Sequence, residues 1–152
     1  MTHKLVPIIT FLFFWSPQIV ADDAADVRAT IERHYAAIHA QNTEVVVSHH
    51  LADFTMFLAD GGILWDSDWA EASERMGATT EFPVLNVRMS SFDAQIYGNV
   101  AVATFFLVGT ASRGDKTRDI INRVSAVWVK SNGEWKEAHH HESPLLSHKN
   151  KH

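Results

Sequence analysis

Apolar residues recur at intervals of three and four through Val27, Ile31, Tyr35 and Ile38, which predicts a helix over 24–40 with one buried face. Asp22, Asp23 and Asp26 lie where the helix dipole favours negative charge. Gln41-Asn42-Thr43 ends that helix, and Thr43 is placed to cap a short second one over 44–50. The stretch 54–59 reads as a strand, which Asp60-Gly61-Gly62 turns into 63–65. Asp68 and Glu71 form a capping box for a third helix over 69–76, stopped at Gly77. The pattern then changes. Four long strand candidates follow, over 84–97, 100–112, 117–130 and 134–143. Gly98-Asn99, Arg113-Gly114-Asp115-Lys116 and Ser131-Asn132-Gly133 separate them, each a hairpin signal. Helices first and an antiparallel meander afterwards predict an α+β fold with the helices on one face of the sheet. Strands of this length must twist and bend, which wraps the antiparallel sheet into a strongly curved cone around the helices.

The last turn decides which side chains look inward. A three-residue loop with a Gly bulge pairs Lys130 with Glu134. Arg123, Ser125, Trp135, Glu137, His139 and His141 then share a polar outer face. Val124, Ala126, Trp128, Ala138, His140 and Glu142 share the inner one, with Asn122 beside them at the cone's mouth. A two-residue turn shifts the register by one and re-pairs these faces.

The segment 1–21 has a different character. Lys4 precedes the apolar run Leu5 to Trp15, Pro17 breaks it, and Ala21 offers a small residue at a cut before Asp22. That is the layout of a secretory signal peptide, and the run is too short for a membrane span of roughly 20 residues. The expected organisation is a signal peptide over 1–21, a domain over 22–146 and a polar tail over 147–152, exported to a periplasm or secreted. No membrane association is expected after cleavage. The chain has 152 residues, 13 Lys and Arg against 18 Asp and Glu, and no cysteine. A net charge of −5 without a basic stripe argues against nucleic-acid binding. The missing cysteines exclude disulfides, thiolate metal sites and cysteine nucleophiles.

The closing run Trp135-Lys136-Glu137-Ala138-His139-His140-His141-Glu142-Ser143 follows a strand and an Asn-Gly turn. With Arg123-Val124-Ser125 and Gly98-Asn99-Val100-Ala101, it resembles the nuclear-transport-factor-2-like superfamily. More narrowly, the chain is similar to SnoaL-like domains and to the association domain of calcium/calmodulin-dependent protein kinase. The resemblance runs from about Asp26 to Leu145 and implies a cystatin-like cone. It implies no single function, because this fold hosts isomerases, dehydratases, cyclases, epoxide hydrolases and assembly domains. Tyr35 falls where the superfamily's steroid isomerases place an oxyanion-donating tyrosine, although it also completes the apolar helix face. The isomerases' carboxylate base has no counterpart in Phe57-Leu58-Ala59, and Asp60 comes one or two residues later. The kinase association domain lines its pocket with arginines where this chain has Ala126 and Glu142, so that mode of carboxylate binding is not carried over.

Chemistry is therefore sought inside the cone. His140 and Glu142, two apart on one strand face, can shift each other's protonation and serve acid–base work, with Tyr35 or Asn122 orienting a substrate. Trp65, Trp69, Trp128 and Phe57 are the expected aromatic lining. His139 and His141 with Glu137 can offer metal ligands, but no further spaced ligand is visible, and no metal or cofactor is expected. His49 and His50 read as a solvated helix terminus. The leading expectation is an exported domain that binds a small apolar or aromatic molecule. The alternatives are a cofactor-free isomerase, dehydratase or cyclase, and a non-catalytic assembly module. A homodimer is expected in every case, because the mixed polar and apolar outer face needs cover.

Overall fold

The computed structural model describes residues 17–59 and 84–145. Helix α1 (Pro17–His39) and the short helix α2 (Thr43–Ser48) lead into strand β1 (His50–Phe57). Strands β2 (Val84–Tyr97), β3 (Val100–Arg113), β4 (Lys116–Ser131) and β5 (Glu134–Pro144) complete the fold. The four long strands form the expected antiparallel meander, and β1 pairs in parallel with β5. The spatial order is β1-β5-β4-β3-β2, a curved sheet that does not close. The expected strand over 63–65, the third helix over 69–76 and the tail over 147–152 lie outside the described residues. No helix among the described residues is long and apolar enough to cross a membrane.

The stripe read from the sequence holds α1 in the sheet's concave face. Val27, Ile31 and Tyr35 pack against Phe105, Leu107, Val124, Ala126 and Trp128. Each large side chain removed from water there contributes roughly 1.5–3 kcal/mol, so this contact fixes the helix to the sheet. Asn42, rather than Thr43, caps α2, its Oδ1 accepting from the Val45 amide at 3.2 Å. The helix ends at Ser48, and His50 already belongs to β1.

Local irregularities bend the long strands. Ser91 has φ +52 within a bulge between Ser90 and Asp93, which kinks β2. Farther along the same pair of strands, where Gly109 of β3 faces Val87, a Cβ on Gly109 would lie 2.1 Å from the Asn86 carbonyl oxygen, so only glycine permits that close approach. A third irregularity lies in β5. Asn132 and Gly133 both have positive φ (53° and 85°) and form a two-residue turn with Ser131 opposite Glu134. The expected three-residue loop is thereby corrected: the right-handed twist of β4 and β5 matches an Asn-Gly turn of this type without an extra residue. Lys130 consequently faces Trp135, and Trp128 faces Glu137. Between Glu137 and His139 the register slips, because Val127 pairs with His139 and leaves Ala138 over. Beyond that bulge Ala126 faces His140 and Val124 faces Glu142.

The outcome for the faces is mixed. His140 and Glu142 point inward, and His139 and His141 outward, as expected. Trp135 and Glu137 are corrected from the outer face to the inner one, where both are buried. The turn shifts them in, and the bulge at Ala138 keeps His140 and Glu142 there too.

Candidate functional site

The inward turn of Glu137 joins residues from both ends of the chain. Its backbone amide donates to the His49 carbonyl at 2.7 Å, and β1 brings His50 opposite it. Glu137 Oε2 lies 3.4 Å from His50 Nε2, with both side chains almost fully buried. Its other oxygen, Oε1, accepts from His140 Nδ1 at 2.8 Å. His140 Nε2 meets Glu142 Oε1 at 3.0 Å, and Glu142 Oε2 accepts from the Asn122 amide at 2.9 Å. Asn122, Glu142, His140, Glu137 and His50 thus form one continuous polar run under the helix.

Both ring nitrogens of His140 face carboxylates, and an imidazole can donate from both only when it is protonated. Burial opposes that charge, but Glu137 and Glu142 outweigh it and push His140 up to about 10. Burial likewise favours a neutral Glu137, yet His140, His50 and His34 hold its carboxyl well below the usual carboxylate range. The pair is an internal ion pair with hydrogen bonds at both ends, the arrangement in which buried charges are tolerated.

His34 completes the floor from α1. It lies on the stripe of Val27 and Ile31 and is 7% exposed. Its ring sits 5.1 Å from that of His50, 5.7 Å from His49 and 6.5 Å from Trp128, centre to centre. Its Nδ1 is buried without a hydrogen-bond partner among the described residues. Burial lowers His34 to about 3, with Glu137 opposing the shift and His50, His140 and His49 reinforcing it. Phe54 stacks on His50 with ring centres 4.1 Å apart. Tyr35 is buried edge-on to Phe105, and burial, then Glu142 and Glu137, raise its phenol.

Of the residues singled out from the sequence, His140, Glu142 and Asn122 meet in one hydrogen-bonded group, and Trp128 and Tyr35 stand in the same interior. Phe57 does not. It lies on the outer face, 40% exposed, with its ring beside His139 and His141. Trp65 and Trp69 lie outside the described residues. His139 shares a 2.7 Å hydrogen bond with Thr55 and is lowered by burial, then by His140 and His141. Glu137 cannot join His139 and His141 on a metal, since it faces the other way. The reading of His50 as a solvated helix end is corrected: its side chain is 2% exposed at the start of β1. His34 went unread although its place on the apolar stripe was a usable signal, whereas burial of His50 required the parallel β1–β5 pairing.

A family model described as a SnoaL-like domain matches residues 27–147, from the core of α1 through the end of β5. The chain belongs to the SnoaL-like domain family. No curated protein matches it. Solved structures agree with the SnoaL-like fold. A candidate dehydratase of the NTF2-like family from Streptomyces avermitilis superposes with a TM-score of 0.71 at 19% identity, covering 84% of this chain and 99% of that one. The CaMKII hub homology domain of Chlamydomonas reinhardtii gives 0.67 at 22% identity, covering 82% and 99%. An NTF2-like protein with a cystatin-like fold from Novosphingobium aromaticivorans gives 0.68 at 11% identity, covering 84% and 85%. These similarities establish the cone-shaped fold, which serves both enzymes and assembly domains.

Proposed function

We propose that this SnoaL-like domain is exported, binds a small apolar or aromatic molecule inside its cone, and moves a proton on that molecule through Glu142. The observation that carries this reading is the buried run from Asn122 through Glu142 and His140 to Glu137. Removing carboxylates from water costs several kcal/mol each, and apolar packing of the same volume is often no less stable. A few placed polar groups in a wall of Trp128, Phe105 and Tyr35 also have the make-up of a ligand site. Glu142 is the most open member, its side chain 16% exposed against 7% for His140 and 3% for Glu137. It is therefore the group that meets a ligand. His140 and Glu137 are positioning residues: they fix the Glu142 carboxylate and spread the charge that a transferred proton leaves. The candidate dehydratase among the structural neighbours fits this reading.

Native mass spectrometry of the protein purified from the periplasm of an exporting host tests it. The expected result is a chain starting near Asp22 that carries an organic adduct. That molecule should be converted, or should exchange a proton with deuterated water. Glu142→Gln should slow this by at least about 100-fold while affinity stays within about ten-fold. A bare protein, or exchange unchanged in the variant, contradicts the proposal.

The outer face favours a second role beside the first. Phe57 stands exposed between His139 and His141, and a groove of about 500 Å³ runs past Arg123, Ser125, His141 and Ser143. An apolar ring framed by polar groups fits a self-complementary contact, so we propose that a second copy covers this face in a homodimer. The hub domains among the neighbours are consistent with assembly through this fold.

A further inference from the structure

Three elements distant in sequence bring one potential ligand atom each to a single point: His34 from α1, His50 from the start of β1 and Glu137 from β5. These atoms all lie within 4.8 Å of one another. The separation of His50 Nε2 and Glu137 Oε2, 3.4 Å, is longer than a good hydrogen bond. It equals the edge of a tetrahedron around a cation bound at about 2.1 Å, which is about 3.4 Å. His34 supplies the independent observation, an imidazole more than nine-tenths buried whose Nδ1 has no partner among the described residues.

We propose that His34, His50 and Glu137 form a three-ligand site for a divalent first-row transition cation, with zinc as its simplest occupant. Two imidazoles and one carboxylate suit zinc, iron or cobalt, whereas magnesium and calcium prefer oxygen donors throughout. Three protein ligands leave a position for water, the pattern of reactive rather than purely structural sites.

The surroundings have the form of an outer shell. His140 occupies Glu137 Oε1 and leaves Oε2 for His50 and a cation, and Glu142 and Asn122 hold His140 in turn. Outer-shell donors of this kind fix ligand orientation. A cleft of about 380 Å³ between α1 and β5, lined by Arg33, Ser48, His49 and Lys136 among others, lies beside the site. His49, on its wall, is the neighbour whose ring lies 5.7 Å from His34. The site requires neither Glu142 chemistry nor an organic ligand, so it stands or falls apart from the preceding proposal. It also departs from the metal-free expectation drawn from the sequence, which had placed Glu137 with the wrong histidines.

The test is zinc titration by calorimetry, with cobalt absorption as a second readout, on tag-free, chelator-stripped protein. One zinc per chain should bind, and cobalt should give the intense visible bands of a four- or five-coordinate nitrogen and oxygen site. His34→Gln should weaken zinc by at least about 100-fold, and His140→Gln by about 10–100-fold. A His139→Ala/His141→Ala double variant should bind as wild type does. Far-ultraviolet circular dichroism of each variant separates lost binding from lost fold, and His34→Gln keeps a polar side chain of similar size to limit that risk. Should His34→Gln not fold, the cobalt spectrum of the wild-type protein decides alone. Octahedral bands, or no stoichiometric binding, overturn the proposal. Zinc affinity kept in folded His34→Gln, or lost in the His139/His141 variant, overturns it too.

Discussion

Glu137 and His50 face each other across the parallel pairing of β5 with β1, their side chains 3.4 Å apart and almost fully buried. Eighty-odd residues separate them in the chain, and the contact depends on the two-residue turn at Asn132-Gly133, which brings Glu137 to the inner face. That geometry places a carboxylate where the periodicity of β5 alone would not. It also couples the two ends of the fold through charge as well as through packing.

Removing the carboxylate should therefore be costly. Glu137→Gln takes from His140 the carboxylate at its Nδ1 and leaves Glu142 alone to balance the buried charge, and loss of one member of a buried pair costs about 3–5 kcal/mol. Urea unfolding of the metal-free protein measures this directly. A loss below about 1 kcal/mol would mean that the interior is wetter than described.

The two buried histidines pull stability in opposite directions with pH. His140 is raised to about 10, so its contribution is complete below its ordinary 6.5 and drains away as pH climbs toward 10. His34 is lowered to about 3, so the protein loses stability as pH falls from 6.5 toward 3. Glu137, also lowered, adds to the acid limb below its ordinary 4.5. Chelator-treated protein should accordingly be most stable near pH 6.5, with denaturation midpoints falling on both sides. A midpoint that rises steadily from acid to alkaline pH would contradict the assignment of His140.

Gly109 is a purely structural prediction. An added Cβ meets the Asn86 carbonyl at 2.1 Å, and backbone cannot step aside as a flexible side chain would. Gly109→Ala should cost about 1–3 kcal/mol by forcing β2 from β3. Equal stability in chemical denaturation would show that the two strands are not held so close.

The outer face predicts an assembly phenotype that leaves the interior alone. Introducing negative charge with Arg123→Glu and His141→Glu should convert a dimer to monomer in light scattering at micromolar concentration. The unfolding midpoint at low protein concentration should hardly change. A wild-type monomer would remove the proposed role of this face.

Much of the architecture was legible because it is local. The three-and-four spacing in α1 marks its buried stripe, and alternation with Gly-Asn and Asn-Gly signals delimits β2 to β5. Strand β2 begins and ends where the pattern put it, at Val84 and Tyr97. The inward placement of Asn122 was also legible from alternation along β4, but His140 and Glu142 came out inward only because the bulge at Ala138 offsets the register shift of the two-residue turn. What escaped depends on long-range pairing. Nothing near His50 announces that β1 will lie against β5, and Ala138 carries no mark of a bulge such as glycine often gives. His34 shows a different limit, because a histidine on an apolar stripe is ambiguous until its neighbours are known.

The central claim is that the cone's floor holds a preset charge arrangement, with His140 cationic and His34 neutral. Nitrogen-15 chemical shifts of labelled histidines, followed on chelator-treated protein between about pH 5 and 9, test it most directly. The account predicts one ring protonated on both nitrogens throughout this range and another that never takes a second proton. Histidines that all titrate together near their ordinary value would contradict it.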